Sequence, residues 1–289
     1  MTFAREPILA SKTGWTRRSL LGGTAAALAS EYLFPAAASA QVTDLRGLDA
    51  LWRDAEDAIV NFFGRPEYTH ERLEVDLPEH ADVGSSVPLG IRVRAGMTES
   101  DYPRVVHVLA HGNPTPHVLS VWFSPASGRA EFHTRIRLER SQKVTAVAQM
   151  SDGRHIRVDR DVSVSFGACA QIGTGSNDDI FSFKPQPRVN VPATAQKGSL
   201  VPIRALISHP METGLRLDAT DEWVRKRIIT SFECRYNGVE VFRARLYPAV
   251  ATNPYFMFYA RALESGSFDF KWYDMIDMTF RAKANIRVT

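Results

Sequence analysis

The chain's candidate for covalent chemistry is Cys169, in the run Phe166-Gly167-Ala168-Cys169-Ala170-Gln171-Ile172-Gly173-Thr174-Gly175-Ser176. Small, glycine-containing sequence keeps a backbone loose and lets other surfaces approach closely. A thiol placed there is presented to partners. Thiolate reactivity rises with exposure and with neighbours that lower the thiol pKa. No Lys, Arg or His lies within several residues of Cys169, so its surroundings supply access without activation. That pattern suits a carrier activated by the enzyme it visits, since a self-sufficient nucleophile needs its own base.

The second cysteine reads differently. In Phe232-Glu233-Cys234-Arg235-Tyr236 it shares a strand face with Phe232 and Tyr236, the position of a small buried hydrophobe. Two cysteines in 289 residues do not make a disulfide scaffold. A Cys169–Cys234 bond would tie down the loosest stretch of the chain, and the expectation is that it does not form. Metal binding is weakly supported. His107 and His111 have the four-residue spacing of helical ligands, but Val105-Val106-His107-Val108-Leu109 reads as strand, where four residues span about 13 Å. His209-Pro210-Met211-Glu212-Thr213-Gly214 reads as a loop. There is no P-loop, no Gly-x-Ser-x-Gly elbow and no CxxC. The expectation is a protein with no catalytic residue, no metal and no cofactor of its own.

Around Cys169 the chain divides into four segments. Residues 1–40 hold Arg17-Arg18-Ser19-Leu20-Leu21, an Ala/Gly-rich apolar run and Ala38-Ser39-Ala40, the layout of a twin-arginine export signal with an A-x-A cleavage site. Glu31 and Pro35 interrupt the run, so no span of about 20 apolar residues exists to cross a bilayer. The periplasm is the expected compartment. Residues 41–166 open with an amphipathic helix over 44–63, carrying Leu45, Leu48, Leu51, Trp52, Ala55, Ile59, Phe62 and Phe63, with Asp44 as N-cap and Gly64 as stop. Seven strand-like segments follow, near 71–77, 86–95, 102–111, 117–124, 130–139, 142–149 and 154–166, which argues a β-sandwich.

Residues 167–187 are polar and punctuated by Gly and Pro, the signature of an interdomain linker without structure of its own. Residues 188–289 repeat the β theme near 188–194, 199–207, 227–236, 239–246, 255–263, 267–273 and 278–288, and Asn237-Gly238 marks a two-residue hairpin. The fold class is therefore all-β, two Ig-like sandwiches joined by a linker after an N-terminal helix.

The formal charge of +3 shrinks to +1 once residues 1–40 are set aside, with 31 basic against 30 acidic residues remaining. That is no footprint for nucleic acid or an anionic membrane. Arg135, Arg137 and Arg140 alternate along a strand, the pattern of a solvated face.

The segment Ile207-Ser208-His209-Pro210-Met211-Glu212-Thr213-Gly214, then Tyr236-Asn237-Gly238 with Val241-Phe242, Pro248-Ala249-Val250 and Asn253-Pro254-Tyr255, resembles SoxZ over roughly 180–289. In the first half, Asn113-Pro114 with Pro116, Ser124-Pro125-Ala126-Ser127-Gly128-Arg129-Ala130, Thr134-Arg135-Ile136-Arg137-Leu138 and Met150-Ser151-Asp152-Gly153 resemble SoxY. The resemblance implies a pair of Ig-like subunits of the sulfur-oxidation carrier. It makes Cys169 the carrier cysteine and Gly167, Ala168 and Ala170 its arm. The chain departs from that family in carrying Ala168 and Ala170 where glycines flank the cysteine, and in continuing past the arm into a second half. Fused carriers of this kind resemble a SoxYZ-like group associated with quinoprotein alcohol dehydrogenases.

Three functions remain open on these grounds. The first is a periplasmic carrier, not an enzyme, that holds a sulfur-containing intermediate on Cys169 for partner enzymes. The second is an adaptor for a quinoprotein (PQQ) dehydrogenase in which Cys169 is incidental. The third is a thiol-redox protein pairing Cys169 with Cys234.

Overall fold

The computed structural model describes residues 54–168 and 175–289. Residues 1–40, read as an export signal, the expected cap Asp44, and both Cys169 and Ala170 lie outside the described residues. The helix is described from Ala55 to Phe63 (α1), and its N-cap is Asp54, whose carboxylate accepts from the Glu56 amide. Ala55, Ala58 and Ile59 of α1 pack on Leu109 and Val147 of the sheet beneath.

Among the described residues seventeen strands follow in chain order. The first half holds β1 (Tyr68–Thr69), β2 (Leu73–Asp76), β3 (His80–Val83), β4 (Val87–Val93), β5 (Pro103–Ala110), β6 (His117–Phe123), β7 (Ala130–Ile136), β8 (Gln142–Met150) and β9 (His155–Phe166). A short helix, α2 (Asn177–Ser182), separates these from the second half. There lie β10 (Gln186–Asn190), β11 (Thr194–Ala195), β12 (Leu200–Ser208), β13 (Ile229–Tyr236), β14 (Val239–Leu246), β15 (Tyr255–Arg261), β16 (Gly266–Asp274) and β17 (Thr279–Val288). The all-β class stands, and each of the fourteen long segments read from alternation is a strand. The Asn237-Gly238 turn has φ of 47° and 83°, the doubly left-handed backbone that a type I′ hairpin requires.

The two halves share more than a linker. β6 pairs antiparallel with β14, placing Phe123 opposite Phe242 and Ser120 opposite Arg245. β7 pairs with β15 through Phe132 and Phe258. An eleven-stranded and a six-stranded sheet therefore each run across both halves. The side chains between them form one core, with the Phe123 and Phe242 rings 5.8 Å apart and Phe242 stacked 4.2 Å from Phe258.

Two expectations change. Residues 167–187 are not without structure, since α2 forms on a reciprocal capping box. Ser176 accepts from the Asp179 amide, and the Asp179 side chain accepts from the Ser176 amide. Arg137 is not part of a solvated face either. Its guanidinium reaches into the second half and donates to the carbonyls of Met211 (2.7 Å) and Pro248 (3.2 Å) and to the Thr252 hydroxyl (2.9 Å).

Candidate functional site

The cysteine-bearing stretch 169–174 leaves the described structure at Ala168 and rejoins it at Gly175. Gly167 is there for close approach. A Cβ at this position would come within 3.0 Å of the Glu139 carbonyl oxygen. The same holds at Gly84, where a Cβ would meet the Leu138 carbonyl oxygen and crowd the Ala168 amide at 3.1 Å. Between these glycines Ala168 is buried, and its amide donates to Leu138 O at 3.1 Å. The expected loose arm is therefore tight through Gly167 and Ala168. Small residues are present because backbone meets backbone, a demand that composition alone does not distinguish from flexibility.

The apolar pair beside this exit is Val83 and Phe166, register partners in the parallel β3–β9 pairing. Phe166 is 66% exposed.

The return end is fastened from the second half. Arg216 donates from Nη2 to Gly175 O (2.9 Å) and from Nε to Glu212 (2.8 Å). The Asn177 side chain donates to Trp223 O (3.2 Å) and accepts from the Arg225 amide (2.8 Å). Arg227, fully buried, donates to Ile180 O (2.5 Å) and Phe183 O (3.1 Å) at the end of α2, and from Nε to Asp274 (3.0 Å).

Burial alone would raise the Asp274 pKa, but the His209 and Arg227 N–H groups hold its carboxyl below the ordinary range. His209 Nδ1 accepts from the Met211 amide (3.0 Å), which leaves Nε2 to face Asp274 at 3.4 Å. Burial keeps this imidazole's pKa low despite the carboxylate. The motif His209–Gly214 is thus a loop, as read, and its histidine supports the anchor of α2.

His107 and His111 do not converge. His111 faces the Thr145 hydroxyl at 2.8 Å. His107 instead joins His117 across the β5–β6 pair. The Ser120 hydroxyl lies 2.8 Å from His107 Nδ1 and 3.0 Å from His117 Nε2, and the two ring nitrogens lie 3.4 Å from each other. Burial brings the His107 pKa down to about 3 and also holds His117 well below its ordinary value, so both rings are neutral. Phe62 stacks on His107 (4.6 Å) and Tyr247 on His117 (4.0 Å). Sequence reasoning missed this trio because it weighed His107 against its neighbour in sequence; the alternation of His117 and Ser120 with a predicted hairpin partner was the available signal. Among the described residues no group of three or more His, Cys, Asp or Glu side chains could hold a metal ion.

Cys234 is free, wholly buried and flanked on its face by Phe232 and Tyr236, and burial pushes its thiol pKa well up. It is an inert core residue. No helix among the described residues is long and apolar enough to cross a membrane.

Comparison with known proteins locates these features. The family model of the sulfur oxidation protein SoxY matches residues 59–169, so its match ends on Cys169, and that of the sulphur oxidation protein SoxZ matches residues 189–285. No curated protein matches the chain. Among solved structures, the sulfur carrier protein SoxY from Chlorobium limicola f thiosulfatophilum is 24% identical over 38% of this chain and 94% of its own, with a TM-score of 0.33. A superoxide reductase (neelaredoxin) from Ignicoccus hospitalis is 20% identical over 36% of this chain and 79% of its own, with a TM-score of 0.29. With a SoxY domain ending at the cysteine and a SoxZ domain sharing its sheets, the chain is a SoxY–SoxZ fusion of the sulfur-oxidation carrier family.

Proposed function

We propose that the protein is an exported, non-enzymatic carrier that holds a sulfur-containing intermediate covalently on Cys169 and presents it to partner enzymes. The observation that carries this reading is the position of Cys169. It is the last residue of the SoxY match and lies one peptide step, about 3.8 Å between Cα atoms, beyond the fixed residue Ala168. The other cysteine is buried in the core and takes no part.

In the capture step, a Cys169 thiolate and the outer sulfur of thiosulfate join in a new S–S bond. Two electrons leave to an electron-accepting partner protein, and the thiosulfonate stays on the cysteine. No Lys, Arg or His lies within several residues of Cys169 in the sequence, so activation is assigned to the visiting enzyme.

The stretch is held at both ends, by Leu138 at Ala168 and by Arg216 at Gly175. Seven peptide steps of 3.3–3.6 Å give a contour of about 25 Å, so no point on it extends more than about 12 Å from the anchors. Such a loop cannot thread a narrow channel end-first. It is suited to an open cleft.

A second reading treats Cys169 as incidental and the protein as an adaptor, for instance in a quinoprotein dehydrogenase system. The two-ended tether favours it. Replacement of Cys169 by Ala separates the two: a carrier loses all partner-dependent turnover of its cargo, whereas an adaptor keeps it.

A further inference from the structure

The segment between β12 and β13 folds back on itself as a hairpin. Glu212 pairs with Arg227 at its base and Leu217 with Trp223 toward its tip, both antiparallel. The Val224 amide donates to Arg216 O (3.1 Å) and the Asp218 amide to Glu222 O (2.9 Å). Its turn is closed by Asp218 Oδ1, which accepts from the Thr220 amide (2.8 Å) and hydroxyl (2.7 Å) and from the Glu222 amide (3.1 Å). These hydrogen bonds hold the backbone of the element from base to tip.

Its two faces differ. Arg216 and Val224 point inward, Val224 buried and Arg216 bonded to Glu212 and Gly175. Leu215 and Leu217 stand two residues apart and Leu217 faces Trp223 across the pair, so the three share the other face. That face is open, with Trp223 66% and Leu215 50% exposed. Phe183, whose carbonyl Arg227 holds, and Met275, Ile276 and Met278, in the turn whose Met275 amide donates to Ile228 O, are exposed apolar side chains on segments bonded to the hairpin base.

A solvent-facing Trp and two Leu on a hydrogen-bonded hairpin mark an interaction surface, and holding them in place before binding lowers what binding costs in ordering. Trp is also the residue type most enriched at interface hot spots.

The charge on the hairpin selects the occupant. Asp218, Asp221 and Glu222 gather at the tip, and hydrogen bonds from Thr220 hold the Asp218 pKa low. Of the hairpin's four basic residues, Arg216 and Arg227 are bonded inward, Arg225 lies 4.4 Å over the Phe181 ring of α2, and Lys226 stands beside Arg227 at the base, at the end away from the acidic tip. A second copy docking isologously would set acidic tip near acidic tip. A partner with an apolar pocket rimmed by Lys and Arg is complementary.

We propose that the hairpin Glu212–Arg227 is the docking element through which a basic-rimmed partner enzyme reaches Cys169. The inference rests on the carrier reading for its substrate. Its geometry is that Arg216 ties the inward face of the hairpin directly to the return end of the cysteine stretch. An enzyme seated on Trp223 would hold the element whose opposite face is bonded to Gly175, the return end of the cysteine stretch.

The test uses the mature full chain, thiosulfate and a soluble extract of the native host. The adduct on Cys169 is followed by intact mass as a function of carrier concentration. Trp223→Ala with Leu217→Ser is expected to raise the half-saturating carrier concentration at least tenfold with an unchanged maximal rate and an unchanged melting temperature. Asp221→Lys with Glu222→Lys, which keeps the turn-closing Asp218, is expected to do the same and to abolish the salt dependence of loading. Equal half-saturation in all three proteins overturns the proposal.

A wild-type protein that takes no adduct overturns the carrier reading alone. Docking is then decided by photo-crosslinking in the host from benzoylphenylalanine at position 223, with position 239 on the exposed β14 start as control. A single heterologous product at 223, absent at 239 and abolished by the Asp221→Lys, Glu222→Lys reversal, supports docking. A product of twice the chain mass, or one indifferent to the reversal, or none, overturns it.

Discussion

The Arg227 guanidinium and the Asp274 carboxylate meet at 3.0 Å with both side chains sealed from solvent, and the same guanidinium holds the carbonyls of Ile180 and Phe183. One buried cation thus joins the core of the second half to the helix that follows the cysteine stretch. Removing one member of a buried pair strands the other, at about 3–5 kcal/mol. Arg227→Met is expected to lose stability of that order in urea unfolding. Arg227→Met with Asp274→Leu, which strands no charge, is expected to recover part of it.

The entry to the cysteine stretch depends on absent side chains. A methyl group on Gly167 would collide with the Glu139 carbonyl, and one on Gly84 with that of Leu138. Neither obstacle is a flexible side chain. Gly167→Ala and Gly84→Ala are each expected to cost about 1–3 kcal/mol through forced backbone shifts. Both are also expected to change the rate at which a thiol reagent modifies Cys169. A control substitution at Gly153, whose Cβ position is open but whose φ is 89°, is expected to affect stability without altering that rate.

The two cysteines are expected to separate cleanly in a labelling experiment. Cys234 is buried and its thiol pKa is raised. Under native conditions an aromatic disulfide reagent is expected to titrate one thiol, assigned to Cys169 by its loss in Cys169→Ala. Cys234 is expected to react only after denaturation. Two equivalents under native conditions would contradict the core placement of Cys234.

The His107–Ser120–His117 trio predicts a pH dependence of stability. The imidazole of His107 titrates near 6.5 in the unfolded chain and at about 3 when buried. Between those values the unfolded state binds the extra proton, so the stabilisation is complete above pH 6.5 and is lost as pH falls toward 3. The melting temperature is expected to be flat from pH 8 to about 7 and to decline below it. His107→Phe is expected to flatten part of that decline. Ser120→Ala, which leaves the two buried ring nitrogens only their long 3.4 Å contact with each other, is expected to cost about 1–3 kcal/mol.

Much of the fold was legible because its strands alternate. Leu200–Ser208 and Tyr255–Arg261 bury every second residue, and Asn237-Gly238 announces its turn. What joins the halves was not legible, because the pairing of Phe123 with Phe242 is a register between segments over a hundred residues apart. The helix α2 was written in Ser176 and Asp179, a capping box hidden by the polar composition around it. At the site, the inertness of Cys234 followed from its strand face, whereas the tightness of Gly167 and Ala168 did not follow from their size. Small residues read alike whether they free a backbone or admit one against another. His209, Arg227 and Asp274 carry no local pattern linking them, since they meet only when β13 and β16 pair.

The most direct test of the carrier account is the intact mass of the mature protein isolated from its native host without reductant. The account predicts an added sulfur-bearing mass on the wild-type chain that reductant removes and that Cys169→Ala lacks. A bare chain, still bare after incubation with thiosulfate, host extract and an electron acceptor, would contradict it.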